Sequence, residues 1–333
     1  MMIRIAVDAN GGDYGVETTV IGSMQAIQKH SDLEITLFGD EEKIKPLLTN
    51  DKRIKIVHTK DTISMGEKDP VHAIRSQKEA SLCLAMKAAK EDLADACVTS
   101  GPTQCVVVGA HLLVRRLPQM ERVALCPFVP NLDGHPRLLL DVGANVELKK
   151  EHLGQLAIFA NVVAKEILGV KEPKVGMLNI GSEPGKGRPI DKEAYYYLEN
   201  LEGINFVGNI EPDQMVACPA DIVVTDGFTG NICLKAIEGT AKSLSVMLKQ
   251  EIKSSFGGKL GAVLMHKNLK RFKNRFSTKE VGGAMLFGVS KIVVKAHGNS
   301  DAETFGNAIG LAYNMVQAQI IEKVVKELPQ VEE

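Results

Sequence analysis

Short apolar runs alternate with longer amphipathic stretches along the chain. Ile3–Val7, Glu34–Phe38, Ile54–Val57, Ala96–Thr99, Val123–Phe128, Arg137–Leu140, Lys174–Leu178, Ile204–Val207, Ile222–Thr225 and Ile292–Lys295 read as strands. Gly15–Lys29, Val71–Glu91, Thr103–Arg115, Glu151–Leu168, Lys192–Asn200, Thr229–Ser254 and Asp301–Glu327 read as helices. Such alternation predicts βαβ units and an α/β fold of three layers, α/β/α, around a mostly parallel sheet. Leu138-Leu139-Leu140 and Ile222-Val223-Val224 are apolar without alternation, as strands covered on both faces are. No repeat, low-complexity stretch or Pro/Gly/Ser linker interrupts the pattern, so one α/β domain over residues 1–333 is expected.

Composition narrows the function classes. Forty Lys and Arg balance 41 Asp and Glu, and 44 % of residues are hydrophobic. That excludes wholesale disorder and argues against a dedicated nucleic-acid binder, whose domains are strongly basic. The six cysteines, at 83, 97, 105, 126, 218 and 233, form no CxxC pair, and most have apolar neighbours. They read as free thiols of a reducing compartment. The N-terminus reaches Asp8 and then Gly11-Gly12 too soon for a signal peptide, and no run approaches the ~18 apolar residues of a membrane span. A cytoplasmic protein is expected, with any membrane contact peripheral.

The loops after the strands hold the candidate chemistry. They are Asp8-Ala9-Asn10-Gly11-Gly12-Asp13, Thr99-Ser100-Gly101-Pro102-Thr103, Asp141-Val142-Gly143-Ala144-Asn145, Asn179-Ile180-Gly181-Ser182-Glu183-Pro184-Gly185-Lys186-Gly187, Asp226-Gly227-Phe228-Thr229-Gly230-Asn231 and Ala296-His297-Gly298-Asn299-Ser300-Asp301. All are small, glycine-bearing and polar, and most open a helix. Ligands of open α/β sheets bind outside the carboxyl ends of the strands, and helix N-termini suit phosphate. Each loop alone is also what a βα turn and N-cap require. Six on one rim point to a shared polar or anionic ligand.

Familiar motifs fail on inspection. Gly181 stands one residue too close to Gly185-Lys186 for a P-loop, and Gly187 replaces the Ser/Thr that would hold Mg²⁺. There is no G-x-G-x-x-G after the first strand, no G-x-S-x-G elbow and no H-E-x-x-H. No cofactor or metal is therefore expected. His297 reads as a hydrogen-bond or proton donor, or as a loop stabiliser. Lys186 reads as an anion contact or a solvated lysine. His72 lies at a helix start. Arg75 and Lys78, three apart on a predicted helix, read as charged surface or as a site for an acidic partner.

Residues 259–276 form a basic amphipathic segment with six Lys/Arg and no Asp or Glu. Helical spacing puts Met265, Leu269, Phe272 and Phe276 on one face, and Lys267, Lys270, Arg271 and Arg275 on the other. This fits an interfacial helix on anionic lipid, an acidic partner's dock, or a helix packed on core or second subunit.

Taken in order, Asp8-Ala9-Asn10-Gly11-Gly12-Asp13, Leu139-Leu140-Asp141-Val142-Gly143-Ala144-Asn145, Asn179-Ile180-Gly181-x-Glu183 with Lys186-Gly187, Asp226-Gly227-Phe228-Thr229-Gly230-Asn231 and Lys295-Ala296-His297-Gly298-x-Ser300-Asp301 resemble the acyl-ACP:phosphate acyltransferase family of bacterial phospholipid synthesis. The resemblance runs from Ile3 to about Ala312. It implies transfer of a long-chain acyl group from acyl carrier protein to inorganic phosphate. It also implies a homodimer, a fold akin to the isocitrate/isopropylmalate dehydrogenases and phosphate acetyltransferases, and peripheral attachment to an anionic membrane. Asn10 stands where the family has Met. Gly101-Pro102-Thr103-Gln104 stands where it has Gly-Asn-Thr-Gly, with Gly101 and Thr103 retained.

The residues then take expected roles. Lys186 and His297 are the catalytic candidates. Asp8, Gly11, Gly12, Asp13, Gly101, Thr103, Asn145, Asn179, Gly181, Asp226, Gly227, Thr229, Gly230 and Asn231 are the phosphate and substrate candidates. Arg75, Lys78, Lys267, Lys270, Arg271, Phe272, Arg275 and Phe276 are candidates for carrier or membrane contact. Two other readings compete: an acyl-CoA phosphate acetyltransferase or dehydrogenase of the same fold, and a non-catalytic membrane-surface scaffold.

Overall fold

The computed structural model describes residues 2–49, 52–275 and 282–329, with residues 273–275 as backbone. The described elements run β1 (Ile3–Asp8), α1 (Gly15–Lys29), β2 (Leu33–Gly39), α2 (Glu41–Ile44), β3 (Ile54–His58), α3 (Pro70–Ser76), α4 (Ser81–Lys90), β4 (Ala96–Thr99), α5 (Thr103–Gly109), β5 (Ala124–Cys126), β6 (Phe128–Val129) and β7 (Arg137–Leu140). They continue with α6 (Lys150–Glu166), β8 (Lys174–Leu178), α7 (Pro189–Glu199), β9 (Asn205–Ile210), β10 (Ile222–Val224), α8 (Gly227–Ser254), α9 (Phe256–Leu264), α10 (His266–Arg275), β11 (Ala284–Phe287), β12 (Ile292–Lys295), α11 (Ala302–Gln317) and α12 (Ile320–Glu327).

The fold class is the expected one, mostly parallel strands between helices, but the strands divide into two sheets. One has the order β3-β2-β1-β4-β12-β11-β5 and the other β6-β7-β10-β8-β9. Among the described strands the antiparallel pairs are β11 with β12, β11 with β5, and β6 with β7. The division falls at Pro127. The run Val123–Phe128 reads as one strand in sequence, but proline has no N–H for a ladder. The chain therefore leaves the first sheet after Cys126 and enters the second at Phe128. The second sheet stays close: Val142 N–H donates to the Leu125 carbonyl at 3.1 Å, and Leu139 N–H to that of Pro127 at 3.4 Å.

The apolar core falls into two buried clusters, and each takes residues from both sheets. Val98, Phe287 and Val294 of the first belong to the same buried cluster as Leu140, Val175 and Val224 of the second. At its centre Phe159 of α6 stacks on Phe287 of β11, with ring centroids 4.3 Å apart and planes 18° apart.

Several predicted helices are broken by tertiary contacts. Val71–Glu91 is interrupted between Ser76 and Ser81. There the Glu79 carbonyl accepts from Thr59 Oγ1, Ser81 N–H donates to the Asp61 carbonyl, and Ser81 Oγ is drawn to buried Asp8. Arg75 and Lys78 thus do not share a helix face. Thr103–Arg115 ends in a π turn at Ala110–Val114. Asp301–Glu327 breaks at Gln319, which has φ +53°. Residues 259–275 are not one helix either: α9 ends at Leu264, with Met265 as its C-cap, and α10 begins at His266. The Arg275 side chain and Phe276 lie outside the described residues.

Phe159→Ala removes the stack that joins the layers. Urea unfolding is expected to show a loss of about 3–5 kcal/mol in a single transition; separate transitions for the two sheets would mean that the core does not act as one.

Candidate functional site

The six loops assemble as two groups of three. β1, β4 and β12 are neighbours in the first sheet, so the loops after Asp8, Thr99 and Lys295 meet at one rim. Asp8 is their anchor. Its carboxylate, 1 % exposed, accepts from Ser81 Oγ at 2.6 Å, Thr99 Oγ1 at 2.7 Å and the backbone N–H groups of Asn10 and Gly11. Burial raises its pKa despite these donors. Thr99 Oγ1 in turn accepts from Gly101 N–H at 2.9 Å. Asp13 N–H donates to the Gly298 carbonyl at 2.8 Å, and Ser100 Oγ to the Gly11 carbonyl at 3.0 Å. Gly12, at φ +88°, lies so close that a Cβ would stand 2.5 Å from Ser100 Oγ. Thr103 is exposed at the start of α5. Asn10 holds the loop to its neighbours, accepting from Asp40 N–H and donating to the Thr59 carbonyl. A groove of about 620 Å³ opens beside Asn10, Gly12 and Asp13, toward Lys43 and Lys60.

β7, β10 and β8 are likewise neighbours, and the loops after Leu140, Val224 and Leu178 form the second group. Asp141 anchors this one. It is fully buried and accepts from the N–H groups of Leu125, Gly143, Ala144 and Asn145 at 2.7–3.2 Å. Burial raises its pKa too. Gly230 is required here, because a Cβ would collide with the Asp141 carbonyl oxygen. The Asn145 amide is committed to the Val123 carbonyl at 2.7 Å and to Asp141 at 2.9 Å, so this residue positions the loop. Asn179 does the same in its own loop, donating to the Lys186 carbonyl and accepting from Ile180 N–H.

Helix α8 starts in this group. Asp226 caps it, accepting from Thr229 N–H at 2.7 Å. The other Asp226 oxygen meets Arg188 Nη2 at 2.6 Å, and Asp191 pairs with the same guanidinium at 2.8 Å. These two carboxylates hold the Arg188 pKa above its ordinary value. Lys186 is half exposed above Gly181, with Glu183 at 3.7 Å. Asn231 is exposed on the first turns of α8.

α8 also connects the two groups. Lys235 and Glu238, two to three turns along it, lie near enough to Lys295 and His297 to act on their charge. Partial burial, and then the neighbouring Lys295, lower the His297 pKa, so the imidazole is neutral at neutral pH. Lys295 is 8 % exposed, and burial, then Lys235, bring its pKa down to about 8. Lys295 and Arg188 were not among the candidates drawn from sequence. A lysine closing the buried run Ile292-Val293-Val294 was the available signal for the first. Nothing in the spacing marked Arg188.

The remaining candidates lie elsewhere. Arg75 and His72 are exposed on α3, and Lys78 is exposed in the turn after it, its carbonyl accepting from Lys87 Nζ. Lys267, Lys270, Arg271 and Phe272 are exposed on α10. The six cysteines are buried and burial raises every one of these thiols, Cys83 and Cys105 to about 11.

Solved structures share this fold. A phosphotransacetylase from Streptococcus pyogenes superposes with a TM-score of 0.63 at 19 % identity, over 96 % of this chain and 94 % of that one. A branched-chain phosphotransacylase from Enterococcus faecalis V583 does so with 0.60 at 17 % identity, over 95 % and 99 %. They establish the shared fold. Residues 3–323 match the profile of the family described as "Fatty acid synthesis protein", and the chain belongs to that family. It is 48 % identical over 325 residues to a phosphate acyltransferase of Acholeplasma laidlawii, covering 97 % of each. It is 44 % identical over 334 residues to one of Oceanobacillus iheyensis, covering 99 % of this chain and 100 % of the relative.

Asp141→Ala strands four backbone donors at about 1–3 kcal/mol for each left dry. Chemical denaturation is expected to show a loss of at least about 3 kcal/mol, and a change below about 1 kcal/mol would deny the carboxylate its anchoring role.

Proposed function

We propose that this chain is a phosphate acyltransferase: it moves a long-chain fatty acyl group from the thioester of acyl carrier protein to inorganic phosphate, giving acyl phosphate for phospholipid synthesis. The observation that carries the reading is the start of α8, where Arg188 ties the capping Asp226 to the glycine-rich loop that carries the half-exposed Lys186. Unpaired N–H groups, the helix dipole and an ammonium together favour a small multivalent anion.

Phosphate is itself the nucleophile. Near neutral pH it is largely dianionic, with a second pKa of roughly 6–7 by analogy with its esters, and a thiol departs readily as thiolate. The protein then has to orient phosphate against the carbonyl and supply donors to the developing oxyanion. Buried cysteines with raised thiols fit a route without an acyl-cysteine intermediate. Lys186, Asn231 and the turn from Asp226 to Gly230 hold phosphate; Thr103 and His297 line the other side. Being neutral, His297 serves as an N–H donor to the carbonyl rather than as an imidazolium.

Carrier and membrane contacts fall on the exposed charges and apolar residues. Acyl carrier protein is acidic, and Arg75, Lys78, Lys259, Lys267, Lys270 and Arg271 are accessible to it. No described helix is long and apolar enough to cross a membrane. Leu244, Met247 and Leu248 of α8, Phe256, Leu260, Val263 and Leu264 of α9, and Phe272 of α10 are exposed. This surface supports a homodimer through α8 and peripheral seating of α9–α10 on anionic lipid.

Incubating the protein with a long-chain acyl thioester of acyl carrier protein should release free thiol only when phosphate is present; release independent of phosphate, or none, refutes the reading. Lys186→Ala removes a charged hydrogen bond worth about 1.5–3 kcal/mol, so KM for phosphate is expected to rise about 10- to 100-fold. Neutralising Arg75 and Lys78 together should raise KM for the carrier at low salt, with the difference fading at high salt. An unchanged KM would remove this pair from the docking surface. Acyl-CoA replacing acyl carrier protein at equal efficiency would favour the phosphate acetyltransferase alternative. Flotation with vesicles containing anionic lipid, lost with neutral vesicles and with Lys267, Lys270 and Arg271 changed to Gln, is the expected membrane behaviour.

A further inference from the structure

Lys295 is a cation without a counter-ion. Its Nζ donates to the Ala296 carbonyl at 3.0 Å, and no carboxylate among the described residues lies within ion-pair distance of it. Burying an ammonium this way costs several kcal/mol unless something compensates. Side chains alternate along a strand, so Lys295 projects from the same face of β12 as Val293. Val293 belongs to the core against which Leu234 and Ile237 of α8 pack. Lys235 of α8, beyond the phosphate candidates at the start of that helix, acts on the Lys295 charge, so α8 passes near the end of β12. Asp13 and Lys235 act on it at longer range, and His297, two residues on, is within reach of Glu238. In the same loop Ser300 Oγ is buried and has no hydrogen-bond partner. A buried cation that closes a strand, followed by a loop with a buried orphan hydroxyl, marks a place built for a negatively charged group.

We propose that Lys295 is a catalytic residue of the acyl transfer, its ammonium stabilising the oxyanion that forms when phosphate adds to the thioester carbonyl. This rests on the phosphate acyltransferase reading. An oxygen of HPO4²⁻ forms a bond to the carbonyl carbon, and the carbonyl electron pair moves onto its oxygen beside Lys295. When the oxyanion collapses, the carbon–sulfur bond breaks, the phosphate proton passes to the departing sulfur, and acyl phosphate dianion and free thiol result. Lys295 stays charged throughout and exchanges no atom. Its preorganised charge in a dry site is what such a transition state requires. Neutral His297 beside it donates a hydrogen bond but cannot supply that charge.

Lys295→Met keeps nearly the length of the side chain and removes the charge together with the hydrogen bond to the Ala296 carbonyl. The wild-type protein is assayed first, for phosphate-dependent thiol release from a long-chain acyl thioester of acyl carrier protein; without such turnover the parent reading fails, whatever Lys295 does. Given turnover, Lys295→Met is expected to lower kcat about 10²- to 10³-fold, with KM for phosphate changed by less than about threefold and the circular dichroism spectrum intact. A kcat within about threefold of wild type, or a loss confined to KM for phosphate, overturns the assignment. The wild type offers a second measurement should the variant not fold. As Lys295 loses its proton above about pH 8, with Asp13, Lys235 and His297 as the charged and titratable groups around it and Glu238 facing His297, kcat/KM, which reports groups of the free enzyme, should decline. A kcat/KM that stays level to roughly two units above that value, where a group of this pKa is about 99 % deprotonated, overturns it as well.

Discussion

A carboxylate removed from water must be met by donors, and at the end of one central strand in each sheet it is. Asp8 gathers two hydroxyls and two backbone N–H groups, and Asp141 gathers four backbone N–H groups. Neither reaches outward to a ligand. Each draws glycine-rich turns around itself and fixes the backbone of the loops that do. The glycines follow from this crowding: the turns come so close that a Cβ at Gly230 or Gly12 would strike a neighbouring loop. Burial raises the pKa of both acids, which measures how far the fold goes to keep these anchors dry.

On this frame the two loop groups differ in charge. The group around α8 combines a helix N-terminus with Lys186, and Arg188 neutralises the capping Asp226 so that the acid does not repel an anion. The group around β12 holds a buried lysine and a neutral histidine. α8 spans the two, so one rigid element sets their spacing. A small dianion on one side and a thioester on the other is a division that suits this arrangement. It also places the burden on orientation and fixed charge rather than on a protein nucleophile.

Much of the fold was legible because it rests on local patterns. β4, β7, β8, β12 and α1 have the bounds the periodicity predicted. β11 was missed: Ala284-Met285-Leu286-Phe287 has no β-branched residue, and its strand state comes from pairing with β5 and β12. The helix read from Val71 to Glu91 is continuous in pattern, but Asp8, far away in sequence, captures Ser81 and breaks it. The Phe256–Arg275 region fits one amphipathic wheel as well as it fits the two helices the chain adopts.

The sequence by itself determined the α/β class, the loops that gather at strand ends and the kind of ligand they suit, since turn glycines, caps and apolar periods act between near neighbours. Only the tertiary structure decided that the loops form two groups rather than one, because strand order and the crossing at Pro127 are long-range choices. It also separated Asp8, Asp141 and Asn145, which brace the site, from Lys186 and Asn231, which are open to it. And it exposed Lys295, whose meaning lies in being buried without a partner, a property of its surroundings that no residue type or spacing encodes.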